Sequence, residues 1–230
     1  MNCPKCKENK STIKHGILRG LQRYLCKSCN YNYTVEKRKN AKDESLKRQA
    51  LELYLEGLGF RSIGRLLNVS HVSVYNWIKS YGEKLEQLQP MEAIKDGEIV
   101  EIDEMHSYIG NKKSEWIWIA VDRLNKIFIN CVIGTRGSKT GKELWGKISD
   151  VAVGKVMTDH WKAYNEFVPH KKHICSKAQT YTVEGYNSIF RHFLARLRRR
   201  TKCYSKSKKM LLLSIKLLMA KWNNYLHILY

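Results

Sequence analysis

Three carboxylates occupy positions from which they can act together on a phosphodiester bond. Asp103 directly follows the strand-like run Ile99–Ile102, and Asp159 directly follows a second run, Lys155–Thr158. Glu184 comes after 24 further residues, in a stretch with helical spacing. A carboxylate at the end of a buried strand is unfavourable unless a cation compensates its charge. Two strand-end aspartates and a helical glutamate therefore predict a site for two divalent metal ions.

The elements around these carboxylates alternate between strand and helix patterns. Apolar periodicity predicts strands at 99–102, 116–121, 127–133, 156–158 and around 174, and helices at 139–148, 161–167 and 183–200. A C-terminal amphipathic helix is predicted to carry Leu211, Leu212, Ile215, Leu218, Met219 and Trp222 on one face. The order β-β-β-α-β-α-β-α is that of an RNase H-like mixed sheet, in which the first and fourth strands are neighbours. Asp103 and Asp159 would then lie side by side, where Mg²⁺ offsets their repulsion.

Each carboxylate also has an ordinary structural explanation. A lone Asp after a strand is usually a turn residue, and a lone Glu on a basic helix usually pairs with Lys or Arg. The joint placement of all three on one topology favours the catalytic interpretation. Glu104 is a rival of Asp103, but alternation along a strand directs its side chain to the opposite face of the sheet.

Four of the seven cysteines form two CxxC pairs near the N-terminus. Cys3 and Cys6 are separated from Cys26 and Cys29 by 19 residues, within which we predict a small hairpin. Two such pairs form a tetrahedral site for one structural Zn²⁺. A segment of this size cannot fold on a hydrophobic core alone, so the metal would supply folding free energy. The alternative is a reduced, metal-free tail. The remaining cysteines are scattered, which suits a reducing cytoplasm.

Helical spacing after the cysteine-rich segment predicts a helix-turn-helix. Helices are expected at 43–56, 60–67 and 70–84, with Ser70 as the N-cap of the third. Two helices around a tight turn, preceded by a supporting helix, match this motif, and the third helix would enter the DNA major groove. Its candidate DNA contacts are His71, Ser73, Asn76 and Lys79. The alternative is a three-helix bundle with no role in DNA binding.

The net charge indicates a polyanionic partner. The chain has 42 basic and 21 acidic residues and a formal charge of +21, which points to nucleic acid. A membrane protein is not expected, because the most apolar run, Met210–Ala220, is only 11 residues long. The N-terminus also lacks an apolar signal core. Further candidate DNA contacts are Arg136, Lys177, Asn187, Arg191, Arg196, Arg198, Arg199 and Arg200.

Some of these residues have a second explanation. A dense basic track also occurs as a solvated helix face. Asn187 and Arg191 share the helical face of Glu184, so they can orient a metal-bound water or bind a phosphate. The sequence thus predicts a multidomain chain of α+β and α/β type. It comprises a zinc ribbon at 1–35, a helix-turn-helix domain at 43–85 and an RNase H-like catalytic domain with C-terminal helices at 98–230.

This order of parts resembles the IS1 family of bacterial and archaeal insertion-sequence transposases, over nearly the whole chain. The most specific similarities are MTDHWKAY around Asp159, CSK at 175–177, the short spacing to Glu184 and FLARL at 193–197. The resemblance implies that Asp103, Asp159 and Glu184 form a DDE triad with two Mg²⁺ or Mn²⁺ ions. It also implies that the four N-terminal cysteines bind Zn²⁺ and that the helix-turn-helix recognises terminal inverted repeats.

The reaction implied by the resemblance is metal-dependent cleavage at the transposon ends, followed by attack of the freed 3′-hydroxyl on target DNA. Synapsis of two ends implies a homodimer or a higher oligomer, in a prokaryotic cytoplasm and associated with the nucleoid. Some family members divide the two halves between reading frames, whereas one chain carries both here. Two alternatives stay open: a DNA-binding transcriptional regulator with an inactive RNase H-like domain, and a nuclease without strand transfer.

Overall fold

The cysteine-rich N-terminal segment and the rest of the chain form separate units. The computed structural model describes residues 2–8, 11–18, 20–35, 42–88, 97–110, 113–152, 154–198 and 203–230. The chain divides into Met1–Asp43 and Glu44–Tyr230. Within the described part of the chain, no helix has the length and hydropathy that a membrane crossing requires.

The first unit is a small antiparallel sheet. Its strands are β1 (Thr12–Leu18), β2 (Leu21–Cys26) and β3 (Asn32–Thr34), in the order β1-β2-β3. The first two strands form the expected hairpin, and β3 is an additional strand. Most of β1 is exposed, so the described residues of this unit form no substantial apolar core. Its two CxxC turns lie before β1 and after β2, as in a zinc ribbon.

Three helices form the predicted helix-turn-helix bundle. They are α1 (Glu44–Leu55), α2 (Phe60–Leu66) and α3 (His71–Leu88). Ser70 caps α3, because its hydroxyl accepts a hydrogen bond from the Ser73 amide at 3.0 Å. The turn between α2 and α3 is tight: a Cβ on Gly64 would lie 2.8 Å from the Val69 carbonyl oxygen. Glycine at this position lets the two backbones approach each other.

A five-stranded mixed sheet occupies the centre of the second unit. Its strands are β4 (Ile99–Ile109), β5 (Lys113–Asp122), β6 (Ile127–Gly134), β7 (Lys155–Thr158) and β8 (His173–Cys175). The order is β6-β5-β4-β7-β8; β4, β5 and β6 are antiparallel, whereas β7 runs parallel to both β4 and β8. The predicted RNase H-like arrangement is confirmed, including the contact between the first and fourth strands.

Helices cover both faces of this sheet. They are α4 (Ser138–Ile148), α5 (Tyr181–Phe193) and α6 (Lys208–Trp222), and short 3₁₀ helices include Lys162–Glu166. One face packs against α4 and this 3₁₀ helix, in a core that contains Trp118 and Tyr164. The other face packs against α5 and α6, in a core that continues into the helix-turn-helix bundle. Alternate residues of each strand therefore enter different cores.

Three predicted element descriptions were wrong. The first strand does not end at Ile102: β4 runs to Ile109 because β5 pairs with it along its whole length, so Asp103 lies in mid-strand. The helix expected at 183–200 ends at Phe193, where Leu194 becomes extended and is buried in the core. The C-terminal helix α6 is buried nearly all round rather than amphipathic. It packs against both the sheet and α3, which leaves it little surface for solvent.

The helix-turn-helix bundle is joined to the sheet domain through α6. The Tyr54 hydroxyl of α1 donates a hydrogen bond to the Ser214 hydroxyl of α6 at 2.7 Å, and both residues are buried. Ion pairs at the surface join the same elements. They are Lys209–Glu83, Lys216–Glu86 and Lys221–Glu56. The bundle and the sheet are thus parts of one packed unit.

Candidate functional site

Asp103 lies on the central strand β4, at the point where the neighbouring strand β7 ends. The parallel pairing of β7 with β4 ends at Met157 opposite Glu101, so Asp103 lies just beyond the last paired position. Burial raises the pKa of Asp103 to about 7, and the nearby charges of Glu104, Asp159 and Glu184 act in the same direction. Like charges gathered around a half-buried carboxylate are unfavourable unless a cation joins them.

Helix α5 brings Glu184 and Asn187 to Asp103. The Asn187 side-chain amide donates a hydrogen bond to Asp103 Oδ2 at 2.6 Å. Glu184 lies in the first turn of α5, where the helix dipole favours a negative charge. The Thr180 hydroxyl lies 3.4 Å from its carboxylate and 3.0 Å from the Lys177 carbonyl oxygen. A cavity of about 530 Å³ opens here, and the side chains along it include Asp103, Tyr181, Glu184, Asn187 and Arg191.

Asp159 approaches this site from the next strand. It follows β7 and is half-buried, and its Oδ1 accepts a hydrogen bond from the Trp161 amide at 2.8 Å. Asp159 does not line the cavity between β4 and α5, but its charge acts on both Asp103 and Glu104. The structure thus places the three predicted catalytic carboxylates near one another, where β7 ends beside the middle of β4.

The donor set fits divalent cations in an open arrangement. Among the described residues, the three carboxylates do not form a closed group of ligand atoms within 4.8 Å of one another. Mg²⁺ sites commonly use one or two carboxylates and leave positions for water and phosphate oxygens. Asn187 is only 4% exposed, and its Oδ1 has no hydrogen-bond partner. This buried acceptor at the cavity wall suits a donor such as a metal-bound water.

Glu104 takes a structural role on the other face of β4, as strand alternation predicts. Its Oε1 accepts a hydrogen bond from Arg136 Nε at 2.8 Å, and its Oε2 accepts one from the buried Tyr164 hydroxyl at 2.5 Å. Burial raises the pKa of Glu104, and these two donors oppose that rise. Glu104 is therefore held by protein groups on the side of the sheet opposite α5.

A buried ion pair joins β4 to the start of α5. Glu101 is fully buried on the same strand face as Asp103, and its Oε1 accepts a hydrogen bond from Arg123 Nε at 2.5 Å. Its Oε2 accepts one from the Val183 amide at 2.8 Å, in the first turn of α5. Arg123 also donates to the side chain and carbonyl of Gln179. The network fixes the beginning of α5, and hence Glu184, relative to Asp103.

The four N-terminal cysteines form a compact cluster. Their sulfur atoms all lie within 4.8 Å of one another, and both the Cys3–Cys29 and Cys6–Cys26 separations are 3.6 Å. A Zn²⁺ ion with bonds of about 2.3 Å to four sulfurs would place them about 3.8 Å apart. The cluster therefore fits a tetrahedral Zn²⁺ site.

The predicted recognition residues lie on α3. His71 and Asn76 are exposed. Ser73 is half-buried, with its hydroxyl 3.2 Å from that of Ser70, and Lys79 forms a 3.9 Å ion pair with Glu83. The exposed side of the helix also carries Val72, which is 54% exposed. A base-reading role for this surface stays a prediction.

Those of the other predicted DNA contacts that the structure describes have different surroundings. Lys177 and Arg198 are exposed, whereas Arg191 is half-buried at the cavity wall. Arg196 packs over the rings of Tyr54 and Phe60 and donates to Ser205, so it supports the bundle. Arg136 is paired with Glu104, and Asn187 is bonded to Asp103. Arg199 and Arg200 lie outside the described residues.

The contacts of Glu101 and Arg123 beside the site were not predicted from the sequence. One local signal was available, because Glu101 and Asp103 are two residues apart in a strand and must share a face. A second carboxylate on a buried strand face implies a buried partner. No comparable signal identifies Arg123, which lies in the turn after β5 and meets Glu101 only in the folded sheet.

Both the helix-turn-helix bundle and the sheet domain are similar to known protein families. The sequence profile described as IS1 transposase matches residues 98–221, and a homeodomain-like profile matches residues 41–89. Insertion element IS1 4 protein InsB of Escherichia coli strain K12 is 37% identical over 111 residues, covering 48% of this chain and 66% of the relative. Insertion element iso-IS1n protein InsB of Shigella dysenteriae is 32% identical over 110 residues, covering 47% of this chain and 84% of the relative.

The alignments cover only part of the matched proteins. The match spans slightly less than two thirds of the E. coli relative. Among solved structures, the catalytic core domain of BIV integrase aligns with a TM-score of 0.35 and 12% identity, over 53% of this chain and 83% of that chain.

Proposed function

The chain belongs to the IS1 transposase family, and from this premise we propose that it binds the terminal inverted repeats of an insertion sequence and catalyses DNA cleavage and strand transfer. The proximity of Asp103, Asp159 and Glu184, where β7 ends beside β4, carries the proposal. A helix-turn-helix in the same packed unit and a net charge of +21 support a DNA substrate.

Asp103, Asp159 and Glu184 are proposed to hold two Mg²⁺ or Mn²⁺ ions. When bound, such ions activate the attacking oxygen and stabilise the leaving oxygen of a phosphodiester. Asn187 holds one oxygen of Asp103 at 2.6 Å, which restricts the rotation of that carboxylate. The Glu101–Arg123 network holds the start of α5 on β4. Reacting groups that rigid elements hold in place react faster, because less orientational entropy is lost on reaching the transition state.

The DNA-binding parts are assigned to α3 and to the zinc ribbon. The exposed residues His71 and Asn76 of α3 suit contact with base edges in the major groove. One Zn²⁺ ion bound by Cys3, Cys6, Cys26 and Cys29 would stabilise the small N-terminal sheet. Pairing two transposon ends before strand transfer calls for a homodimer or a larger assembly, working on the DNA of a bacterial nucleoid.

The test is strand cleavage of a duplex that carries the terminal repeat of the element. The Zn²⁺-loaded full chain is incubated with and without added Mg²⁺, and Asp103→Ala, Asp159→Ala and Glu184→Ala are measured beside it. Glu166→Ala is the matched control, because this carboxylate is 56% exposed and pairs with the surface residue Lys142. We expect Mg²⁺-dependent nicking at the repeat edge by wild type and Glu166→Ala, and none by the other three variants.

The alternatives predict different products. Binding to the repeat without cleavage in any divalent metal would identify a regulator and refute the enzymatic proposal. Cleavage without joined products, when pre-cut ends and target DNA are supplied, would identify a nuclease. Asp159→Asn should abolish cleavage and retain end binding. Loss of both would show that Asp159 supports the fold instead.

A further inference from the structure

A stack of two tryptophans and one arginine lies next to Asp159, one of the candidate catalytic carboxylates. The Arg136 guanidinium lies over the Trp116 ring at 4.5 Å and over the Trp161 ring at 4.3 Å. Arg136 Nε donates to Glu104, and the Trp161 indole N–H donates to the Arg136 carbonyl oxygen at 3.1 Å. The Trp161 amide donates to Asp159 Oδ1. The stack is therefore joined directly to Asp159 and to the strand that carries Asp103.

Packing does not explain the position of Trp161. Core aromatics nearby, such as Tyr164, are fully buried, whereas Trp161 is 39% exposed and the Arg136 side chain is 40% exposed. The polar indole group is already bonded, and the Arg136 charge is already paired with Glu104. What remains available is an apolar ring surface, held in one orientation at the edge of the site. Such a surface suits the flat face of a base better than it suits a phosphate.

We propose that Trp161, supported by Arg136 and Trp116, stacks on one unpaired base of the DNA next to the cleaved phosphodiester. The inference rests on the proposed function and deepens it by naming the part of the substrate that this surface holds. Base–aromatic stacking is tolerant of sequence because every base has a π face. Unstacking one base of a duplex is unfavourable, and a preformed ring surface offsets that free energy.

Aromatic rings continue on the same strand face beyond Trp116. His106 lies 5.0 Å from the Trp116 ring and 4.6 Å from that of Tyr108, and Tyr108 lies 5.2 Å from Tyr204. All of these side chains are half-buried. The row therefore extends the aromatic surface from Trp116 along the face of β4 that carries Glu104.

The first experiment compares Trp161→Ala with Trp161→Phe in cleavage of the terminal-repeat duplex. Loss of one base–aromatic stack predicts a roughly 5- to 150-fold lower cleavage rate for Trp161→Ala. Trp161→Phe keeps a ring that can stack and should recover most of the rate. Trp222→Ala is the control, because Trp222 is 36% exposed on α6 and packs against Phe193. Wild-type rates for Trp161→Ala would overturn the proposal.

The second experiment locates the base and separates stacking from folding. Single abasic nucleotides are placed across the cleavage site in otherwise identical duplexes. At the stacked position, the abasic nucleotide and Trp161→Ala remove the same contact. Their separate effects on the cleavage rate should therefore not add when the two changes are combined. Additive effects at every position would assign Trp161 to the fold and overturn the proposal.

A binding readout keeps this inference separate from the catalytic one. A 2-aminopurine at the stacked position should be bright when Trp161→Ala binds the duplex, and quenched when wild type binds. This readout requires no cleavage, so it reports stacking even if wild type proves inactive and the proposed enzymatic function fails. Equal fluorescence with both proteins at every labelled position would overturn the proposal.

Discussion

Removing the Glu101 carboxylate should weaken the structure and the catalytic site together. Glu101 is fully buried, and the side chain of its partner Arg123 is only 12% exposed. In Glu101→Ala the Arg123 guanidinium stays buried without a carboxylate, and the Val183 amide at the start of α5 loses its acceptor. Both losses act on the junction between β4 and α5.

The expected effect is large for a single substitution. Removing one partner of a buried ion pair typically lowers the free energy of unfolding by about 3–5 kcal/mol. For a unit of this size that corresponds to a fall in Tm of roughly 6–20 °C. A variant that removes both charges, Glu101→Ala with Arg123→Met, should recover most of the loss because no unpaired charge then remains.

Thermal and urea unfolding followed by circular dichroism measure these effects. Glu166→Ala is the reference, because the 3.8 Å pair of Glu166 with Lys142 is exposed on both sides and should contribute about 0–1 kcal/mol. Glu101→Ala should also bind Mn²⁺ more weakly, since Glu184 loses its fixed position. Equal stability of Glu101→Ala and Glu166→Ala would refute the reasoning, and so would a double variant less stable than Glu101→Ala alone.

Three further predictions test other parts of the molecule. Cys26→Ser should release Zn²⁺ and unfold the β1–β3 sheet, because the metal supplies the folding free energy of this small sheet. The control Cys203→Ser, at an exposed cysteine outside the cluster, should retain Zn²⁺. Metal analysis of both variants measures this, and equal Zn²⁺ content would contradict it. Burial raises the pKa of Asp103 to about 7, and a proton on this carboxylate competes with the metal ion. The affinity for Mn²⁺ should therefore fall about tenfold per pH unit below pH 7. Calorimetric titration near pH 6 and pH 8 measures this, and equal affinities would count against it. Since that pKa exceeds the unfolded value of about 3.9, protonated Asp103 also stabilises the metal-free fold below about pH 4, a contribution lost as pH rises through 7. Tyr54→Phe removes the buried hydrogen bond to Ser214 and should lower the free energy of unfolding by about 0.5–1.5 kcal/mol; Tyr31→Phe, on an exposed ring of the separate N-terminal unit, should leave it unchanged.

Several features of the chain could be predicted because they depend on residues that are near one another in sequence. The spacing of two cysteines within a CxxC turn is local, and so is the capping of α3 by Ser70. Strand and helix periodicity is also local, and the order of the elements was sufficient to place β4 beside β7. The proximity of Asp103 and Asp159 follows from that order.

Other features required the three-dimensional structure, because they depend on contacts between distant segments. Strand periodicity alone did not show that β4 continues past Asp103, since pairing with β5 extends it. The burial of α6 on nearly all sides follows from its position between the sheet and α3.

The least predictable features are the partners of buried charges. Arg123 meets Glu101 across 22 residues, and Arg136 meets Glu104 across 32. The apolar and charged residue types are visible in the sequence, but a charge in a low-dielectric interior binds whichever opposite charge the packing brings within reach. The sequence alone therefore determined the set of catalytic carboxylates and cysteines that we propose. The side chains that hold the carboxylates in position are visible only in the folded protein, because those contacts form when β4, β5 and α5 pack together.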